Sequence, residues 1–481
     1  MSESVVPKST KMMIVVTMLI SAFMAILNQT LLNTALPSIM EGLNITENTS
    51  QWLVTGFMLV NGVMIPLTAF LIERVKTRPL YLMAMGIFLV GSIIAALSPN
   101  FGFLMFARVV QAMGAGIIMP LMQFTLFMLF PKDERGFAMG LAGLVIQFAP
   151  AIGPTISGFV VDIASWRVPF FIIVAVASVV FIFGMRHIES YNETKDTKLD
   201  IRSVIYSTLG FGLMLYAFSS AGSVGFSHPI VIIALIVSLF IIAAFIRRQL
   251  TIPNPLLNLV VFKNKVFALT TISTMLVMLS MVGPALIIPI YVQHVLGLSA
   301  LLSGLVIMPG ALLNGMMSVV TGKIFDNYGV KPLILVGFTM LITFTVALCF
   351  LRADTPYWYL LVIYTLRMVS ISFIMMPLNT AGINALSNEN ISHGTAIGNF
   401  ARVTAGSLGT ALMVTLMTIG SELFKPDPNQ HASATMVERQ ATANGVDLSF
   451  MVVSVLVTIA FIAALFIKEQ RSPKQPNARE L

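Results

Sequence analysis

Three arginines, Arg108, Arg367 and Arg402, stand inside long apolar stretches of this 481-residue chain, and none of its 20 acidic residues does. A guanidinium keeps its proton in a protein, so these arginines can orient or attract a polar group but cannot relay protons. Proton relay would fall to carboxylates at the ends of apolar stretches: Asp162, Glu73, Asp326, Glu389 and Glu422. The five histidines also lie at ends or in connections. Asn28, Gln29, Gln111, Gln123, Gln147, Asn314 and Asn399 fall within apolar stretches, and Asn379 and Asn384 follow one. Such amides either line a polar pathway or bond helix to helix. Cys349 is the single cysteine and no Cys/His cluster offers a metal site, so no cofactor is expected.

The elements that must hold these groups are membrane helices. The chain is 57% hydrophobic and 10% charged, with mean hydropathy +0.91. Ordinary soluble domains are about one-quarter charged, so a water-facing surface cannot be made here. The net charge of +8 is spread too thinly for nucleic-acid binding. Windows of roughly 20 apolar residues lie at roughly 12–37, 52–72, 80–98, 101–128, 137–161, 168–186, 203–221 and 228–247. Six more lie at roughly 267–292, 299–321, 332–351, 357–378, 394–420 and 448–467, making fourteen. The first run is too long for a cleavable signal peptide. With the N-terminus inside, only Arg167, Arg352, Lys425 and Arg439 of the 28 Lys and Arg fall in outside loops, and three fall within spans. This asymmetry predicts that both termini are cytoplasmic.

An internal repeat is visible. Pro37 answers Pro289, Glu73 answers Asp326, Arg108 answers Arg367, and Ala149-x-x-x-Gly153 answers Ala405-x-x-x-Gly409, at offsets of 252, 253, 259 and 256. Spans 1, 2, 4 and 5 then correspond to 9, 10, 12 and 13. The fold expected is an all-α membrane protein of two six-helix bundles in parallel repeat plus two inserted helices. The bundles are placed at 1–187 and 263–481, with spans 7 and 8 in a linker at 188–262. Such repeats serve alternating access around a site near the midplane.

Four stretches carry a family resemblance. Gly322-Lys-Ile-Phe-Asp-Asn-Tyr-Gly-Val-Lys-Pro332 resembles the G-x-L-x-D-R-x-G-R-R loop of the major facilitator superfamily. Gly322 permits close helix approach, Asp326 can accept from a helix N-terminus, Gly329 allows positive φ, and Lys331 stands in a basic position. The matching first-half loop, Ala69 to Arg78 with Glu73, Arg74 and Arg78, is degenerate: Lys76 replaces the turn glycine. Such loops are either charged turns that fix topology or a latch for the outward-facing state. Span 5, with Ala149, Pro150, Gly153, Pro154, Ser157 and Gly158, resembles the superfamily's antiporter signature G-x-x-x-G-P-x-x-G-G. Arg108-Val-Val-Gln-Ala-Met-Gly-Ala-Gly116 resembles its R-x-x-Q-G-x-G motif. Gln111 shares a face with Arg108, which either faces a cavity or snorkels outward. Leu27-Asn-Gln-Thr-Leu-Leu-Asn-Thr-Ala-Leu-Pro37 resembles L-D-x-T-V-V-N-V-A-L-P of the fourteen-span drug/proton antiporter branch, except that Asn28 replaces the family's Asp.

The resemblance implies a monomeric plasma-membrane exporter of small lipophilic drugs driven by proton antiport. The implied substrate pathway comprises Asn28, Gln29, Arg108, Gln111, Gln147, Asn314, Arg367, Asn379, Asn399 and Arg402. With Asn28 in place of Asp, proton coupling lacks a central residue. Asp162, Glu73 and Asp326 are the candidates, Asp162 first because span 5 lines the helix 1/4 region in this fold. Without a mid-membrane carboxylate, neutral, zwitterionic or weakly basic substrates are expected over dications. The 32 Met and 34 Phe suit an adaptable apolar cavity. A carrier of one physiological metabolite or lipid remains an alternative. A membrane-embedded enzyme lacks convergent catalytic groups in the spans, and no ATP-binding G-x-x-x-x-G-K-[ST] loop is present.

Overall fold

In a computed structural model, the described residues are 8–163, 165–190, 192, 194–195, 199–352, 354–424 and 434–468. The first bundle comprises α1 (Lys8–Leu43), α2 (Glu47–Arg74), α3 (Thr77–Ala96), α4 (Phe101–Leu129), α5 (Arg135–Ile163) and α6 (Val168–His187). Helices α7 (Ile201–Val224) and α8 (Pro229–Thr251) follow. The second bundle comprises α9 (Lys265–Ile290), α10 (Ala300–Tyr328), α11 (Val330–Ala347), α12 (Tyr357–Ser372), α13 (Met375–Asn384), α14 (Ile391–Leu423) and α15 (Ala434–Leu465). Among the described residues, 14 segments are long and apolar enough to cross a bilayer, with α12 and α13 sharing one, Tyr357–Asn384.

Local chemistry sets the breaks. Asn100 accepts from Phe103 N at 3.1 Å to start α4. Ser299 does the same for α10 through Leu302 N at 3.3 Å. Gly329, at φ 77°, divides α10 from α11, a turn that a side chain would strain. The α12/α13 break falls at Phe373 and Ile374. Pro377, four residues after Phe373, has no N–H to return to its carbonyl.

Two connections differ from the sequence expectation. The outside loop expected at 421–447 is helical from Ala434. Its Thr, Glu, Arg, Gln and Asn side chains hide the helix from hydropathy, not from the backbone. Asp447 therefore lies within α15, not in a loop, where it accepts from Leu351 N at 3.1 Å. Leu351 belongs to the α11/α12 connection, so the carboxylate stands level with that connection. The inner connection expected at 379–393 is also largely wound, by α13 and a 3-10 turn at Asn388–Asn390.

Each bundle buries an apolar core, and that of the first continues onto Phe267, Met376 and Ile391 of the second. The bundles join along two seams, α5 against α10 and α2 against α14. The first depends on small residues at the end that carries the Lys/Arg-rich loops, called here the basic face. A Cβ at Gly322 would strike the Gly136 carbonyl oxygen, and one at Gly136 would strike Gly322 O and Asp326 Oδ1. Gly140 abuts Ser318 and Val319, and Gly315 makes room for the Phe148 ring.

The inserted α7 lies along the second seam. Its Phe211 ring sits 4.2 Å from that of Phe400 on α14. Leu215 fills the space left by Gly62 on α2, and Tyr216 stacks on Trp52 at 6.1 Å. Helix α8 packs on α7 and turns outward, with Phe240 74% exposed.

Candidate functional site

The basic face is closed by two contacts between bundles. Asp326 at the end of α10 accepts from Gly136 N on Oδ1 and Phe137 N on Oδ2, both at 2.7 Å. These are first-turn amides of α5, which have no partner within their own helix and lie at its positive end. Arg135 beside them donates to Asn384 Oδ1 on α13 at 3.0 Å. Lys323 lies over the Phe137 ring at 5.4 Å.

Glu73, at the end of α2, answers Asp326. Its Oε1 lies 3.2 Å from Nε2 of His393 in the first turn of α14, and 3.4 Å from Lys195 Nζ. His393 was not singled out from sequence. The 256-residue offset aligning Ala149 with Ala405 also aligns Phe137 with His393, so the repeat held the signal. Each loop acid thus meets the start of the other bundle's fifth crossing helix. The connection between α6 and α7 braces the Glu73 turn. Lys195 N donates to Glu73 O at 2.8 Å. Asn192 accepts from Thr77 N at 2.8 Å and donates to the carbonyls of Ile72 and Val75. Together with residues 253–258 after α8, this side of the latch bounds a polar cavity of about 180 Å³ reaching Asp200, Glu389 and His393. Arg78 donates to Met185 O at 2.7 Å, tying α3 to α6. Lys331 is exposed at the start of α11, and Arg74 ends α2.

Arg108 and Arg367 are both 0% exposed, which excludes snorkelling. Arg108 donates to Leu53 O at 3.3 Å and to Gln111 Oε1 at 2.9 Å, and lies 4.2 Å from the Phe57 ring centroid. Gln111 continues to Ser92 Oγ at 3.0 Å. Arg367 donates to Thr345 Oγ1 at 3.1 Å and to Ser280 O. Each arginine therefore staples helices within its own bundle.

Arg402 differs. It donates to Asn399 Oδ1, and Asn399 Nδ2 donates across the seam to Gln123 Oε1 on α4 at 2.8 Å. Gln147 on α5 also crosses, with Nε2 3.9 Å from Met281 Sδ. Among the described residues, buried amide atoms without a hydrogen-bond partner include Asn28 Nδ2, Gln123 Nε2, Asn379 Nδ2, and both polar atoms of Asn314. Gln29 is half-buried beside Asn28.

In the antiporter-like stretch, Ala149 is fully buried and Gly153 gives Thr30 of α1 its place. Pro150 faces outward. Pro154, Ser157, Gly158 and Asp162 lie on the α5 backbone, and their side chains are outside the described residues. Among the described residues no cluster of metal-binding side chains occurs.

These features have relatives. The family model described as Major Facilitator Superfamily matches residues 18–410. An uncharacterized MFS-type transporter of Bacillus subtilis (strain 168), YcnB, is 43% identical over 481 residues, 100% of both chains. The lincomycin resistance protein LmrB of the same strain is 40% identical over 462 residues, 95% of this chain and 96% of the relative. The solved structure of the proton:xylose symporter XylE bound to 6-bromo-6-deoxy-D-glucose aligns with TM-score 0.63 at 14% identity, over 96% of this chain and 97% of that one. That likeness shows the fold. With two repeated bundles, fourteen crossing segments and a family match over most of its length, the chain belongs to the Major Facilitator Superfamily and is a multi-pass membrane transporter, not an enzyme.

Proposed function

We propose that this transporter exports small lipophilic drugs by alternating access, driven by proton antiport. The observation that carries the reading is the pair of repeat-related contacts, Asp326 on the α5 start and Glu73 on the α14 start. Both join the bundles at one face, and both must break for that face to open. On the positive-inside rule the basic face is cytoplasmic, as are both termini, so the structure represents the inward-closed state. The halves divide at 1–187, 188–262 and 263–481, and the transporter works as a monomer.

Relatives named for lincomycin resistance support a drug substrate. The mostly uncharged, amide-bearing seam supports neutral or zwitterionic molecules over dications. Asn28, Gln29, Gln147, Asn314, Asn379, Asn399 and Arg402 form the pathway. Arg108, Gln111 and Arg367 shape it from behind by fixing the helices. Asp162, Glu73 and Asp326 are the candidates for proton coupling.

The test is transport in proteoliposomes with an imposed pH or Na⁺ gradient and a panel of neutral and cationic drugs. Drug movement driven by the pH gradient supports the reading. Downhill movement of one metabolite, indifferent to either gradient, defeats it. Asp162→Asn, Glu73→Gln and Asp326→Asn then locate the coupling group: the variant that uncouples drug from proton movement carries it.

A further inference from the structure

A buried arginine in a membrane protein normally has its charge spread over backbone carbonyls or a carboxylate, because an uncompensated cation there costs at least a few kcal/mol. Arg108 donates to Leu53 O, Arg367 to Ser280 O, and Arg135 to Phe130 O. Arg402 does neither. Its one hydrogen bond is to the neutral amide oxygen of Asn399, and none of the ion pairs found among the described residues includes it. Yet it is only 8% exposed, and it lies on α14 about 16 Å of helix rise from Ile391. Its Nε and Nη1 have no acceptor among the described residues. The neighbouring amides leave more donors unused: Gln123 Nε2, one bond away through Asn399, and Asn379 Nδ2, on the helix packed beside Gly398. This part of the seam is rich in donors and holds a positive charge that no ion pair among the described residues meets.

We propose that Arg402, with Gln123 and Asn379 beside it, forms an acceptor-binding centre that selects lipophilic substrates bearing a carboxylate or other anionic oxygen. The inference rests on the exporter reading and moves its substrate class from neutral or zwitterionic molecules toward those that bear an anionic oxygen. The anion supplies the charge that the chain withholds, and Nε and Nη1, which point from different edges of the guanidinium, each offer an N–H to an anionic oxygen. Asn399 has a different role, because its N–H groups are already donated to Gln123 Oε1 and Thr395 O. By joining Arg402 to Gln123 it holds the cation on the line between the bundles, where a bound substrate touches both. Helix motion at that seam would therefore be felt by the ligand.

The test uses three dansyl probes of similar size: dansylglycine (anion), dansylglycinamide (neutral) and dansylcadaverine (cation). Binding is read from dansyl emission with the full chain in lipid nanodiscs, after subtraction of empty discs. Wild type should bind the anion roughly tenfold more tightly than either other probe. Arg402→Gln should abolish that preference, with a monodisperse elution profile and retained helical circular dichroism reporting a folded protein. Arg402→Lys should retain part of it. Should Arg402→Gln fail to fold, Asn399→Asp gives the cation an internal acid and should likewise abolish the preference. A wild type that favours the cation, or an anion preference that survives in folded Arg402→Gln or Asn399→Asp, overturns the proposal. The same probes in proteoliposomes separate the two readings. Export of the neutral probe under a pH gradient without any anion preference removes only this inference; no gradient-driven export of any probe removes the exporter reading beneath it.

Discussion

Nε2 of His393 lies 3.2 Å from Oε1 of Glu73, across the seam between the bundles, at the position where the other half of the repeat offers a backbone amide to Asp326. The two latches therefore differ in kind. One ends on peptide N–H groups, which no side-chain substitution removes, whereas the other ends on an imidazole that can be replaced. The other charged groups around the pair are Lys195, Glu389, and Asp200 with its partner Arg248. We expect loss of the imidazole to loosen the Glu73 latch. Spin labels at Lys76→Cys and Asn388→Cys, in a Cys349→Ser background, measure the gap. The long-distance population should rise in His393→Asn and in Glu73→Gln relative to wild type. An unchanged distance distribution in both variants removes the pair from the latch.

Closure of the basic face depends on absent side chains at Gly322 and Gly136. A methyl group at Gly322 meets a backbone oxygen, which cannot rotate away as a side chain can. Gly322→Ala should hold α10 off α5 and leave the face open. Asp326→Asn should weaken the same seam more mildly, by about 1–2 kcal/mol, since it removes a charge from a helix start. Ser318→Cys in the Cys349→Ser background reports both, as Ser318 is buried against Gly140. Its labelling from the basic side by an impermeant maleimide should rise several-fold in either variant. Gly304→Ala, with nothing within 4 Å of the added carbon, should label like the parent. Equal labelling in all four proteins would show that the seam does not open by this route.

Membrane class, span number and repeat were legible because bilayer thickness writes them into hydropathy and loop charge. The acid of each latch was legible too, from the loop pattern. Its partners were not: Gly136 and Phe137 contribute only backbone, and His393 stands out only once the repeat is folded onto itself. The polar start of α15 was missed for a related reason. Residues 434–447 are helical by backbone hydrogen bonding while their side chains suit water, so an apolar window ends too late. Arg108, Arg367 and Arg402 look alike in sequence. Only the acceptors around them separate two staples from a cation facing the seam.

Asp200, just before α7, receives Arg248 Nε on Oδ2 at 2.6 Å and Arg248 Nη2 on Oδ1 at 2.8 Å, with Ser203 also donating. Chiefly through the Arg248 hydrogen bonds, its carboxyl is lowered from 3.8 to about 2. A lowered folded-state value means that the pair stabilises the α7/α8 hairpin fully above pH ~4 and loses that contribution as pH falls through about 2. Both side chains are partly exposed, so salt will reduce the effect. Thermal unfolding of wild type and Asp200→Asn should therefore differ by a constant amount at neutral pH. The two curves should converge as pH approaches 2. A difference that persists there means that the carboxylate's charge is not what holds the hairpin.

Helix α7 touches both bundles, through Leu215 at Gly62 on one side and Phe211 against Phe400 on the other. In lipid, no solvent drives apolar helices together, so adhesion rests on van der Waals fit and aromatic contact. Phe211 packs its ring on Phe400 at 4.2 Å and on Phe245 of α8 at 5.4 Å. Phe211→Ala should then cost about 1–3 kcal/mol, less than the ~3–5 kcal/mol typical of a soluble core. Phe240 on α8 is of the same size but 74% exposed to lipid, so Phe240→Ala should cost little. The buried Cys349 provides the readout, because a thiol-reactive dye reaches it only on unfolding. A lower melting temperature for Phe211→Ala but not for Phe240→Ala marks α7 as a structural part of the α2/α14 seam. Equal melting of the two variants means that the inserted hairpin is held by its connections rather than by packing.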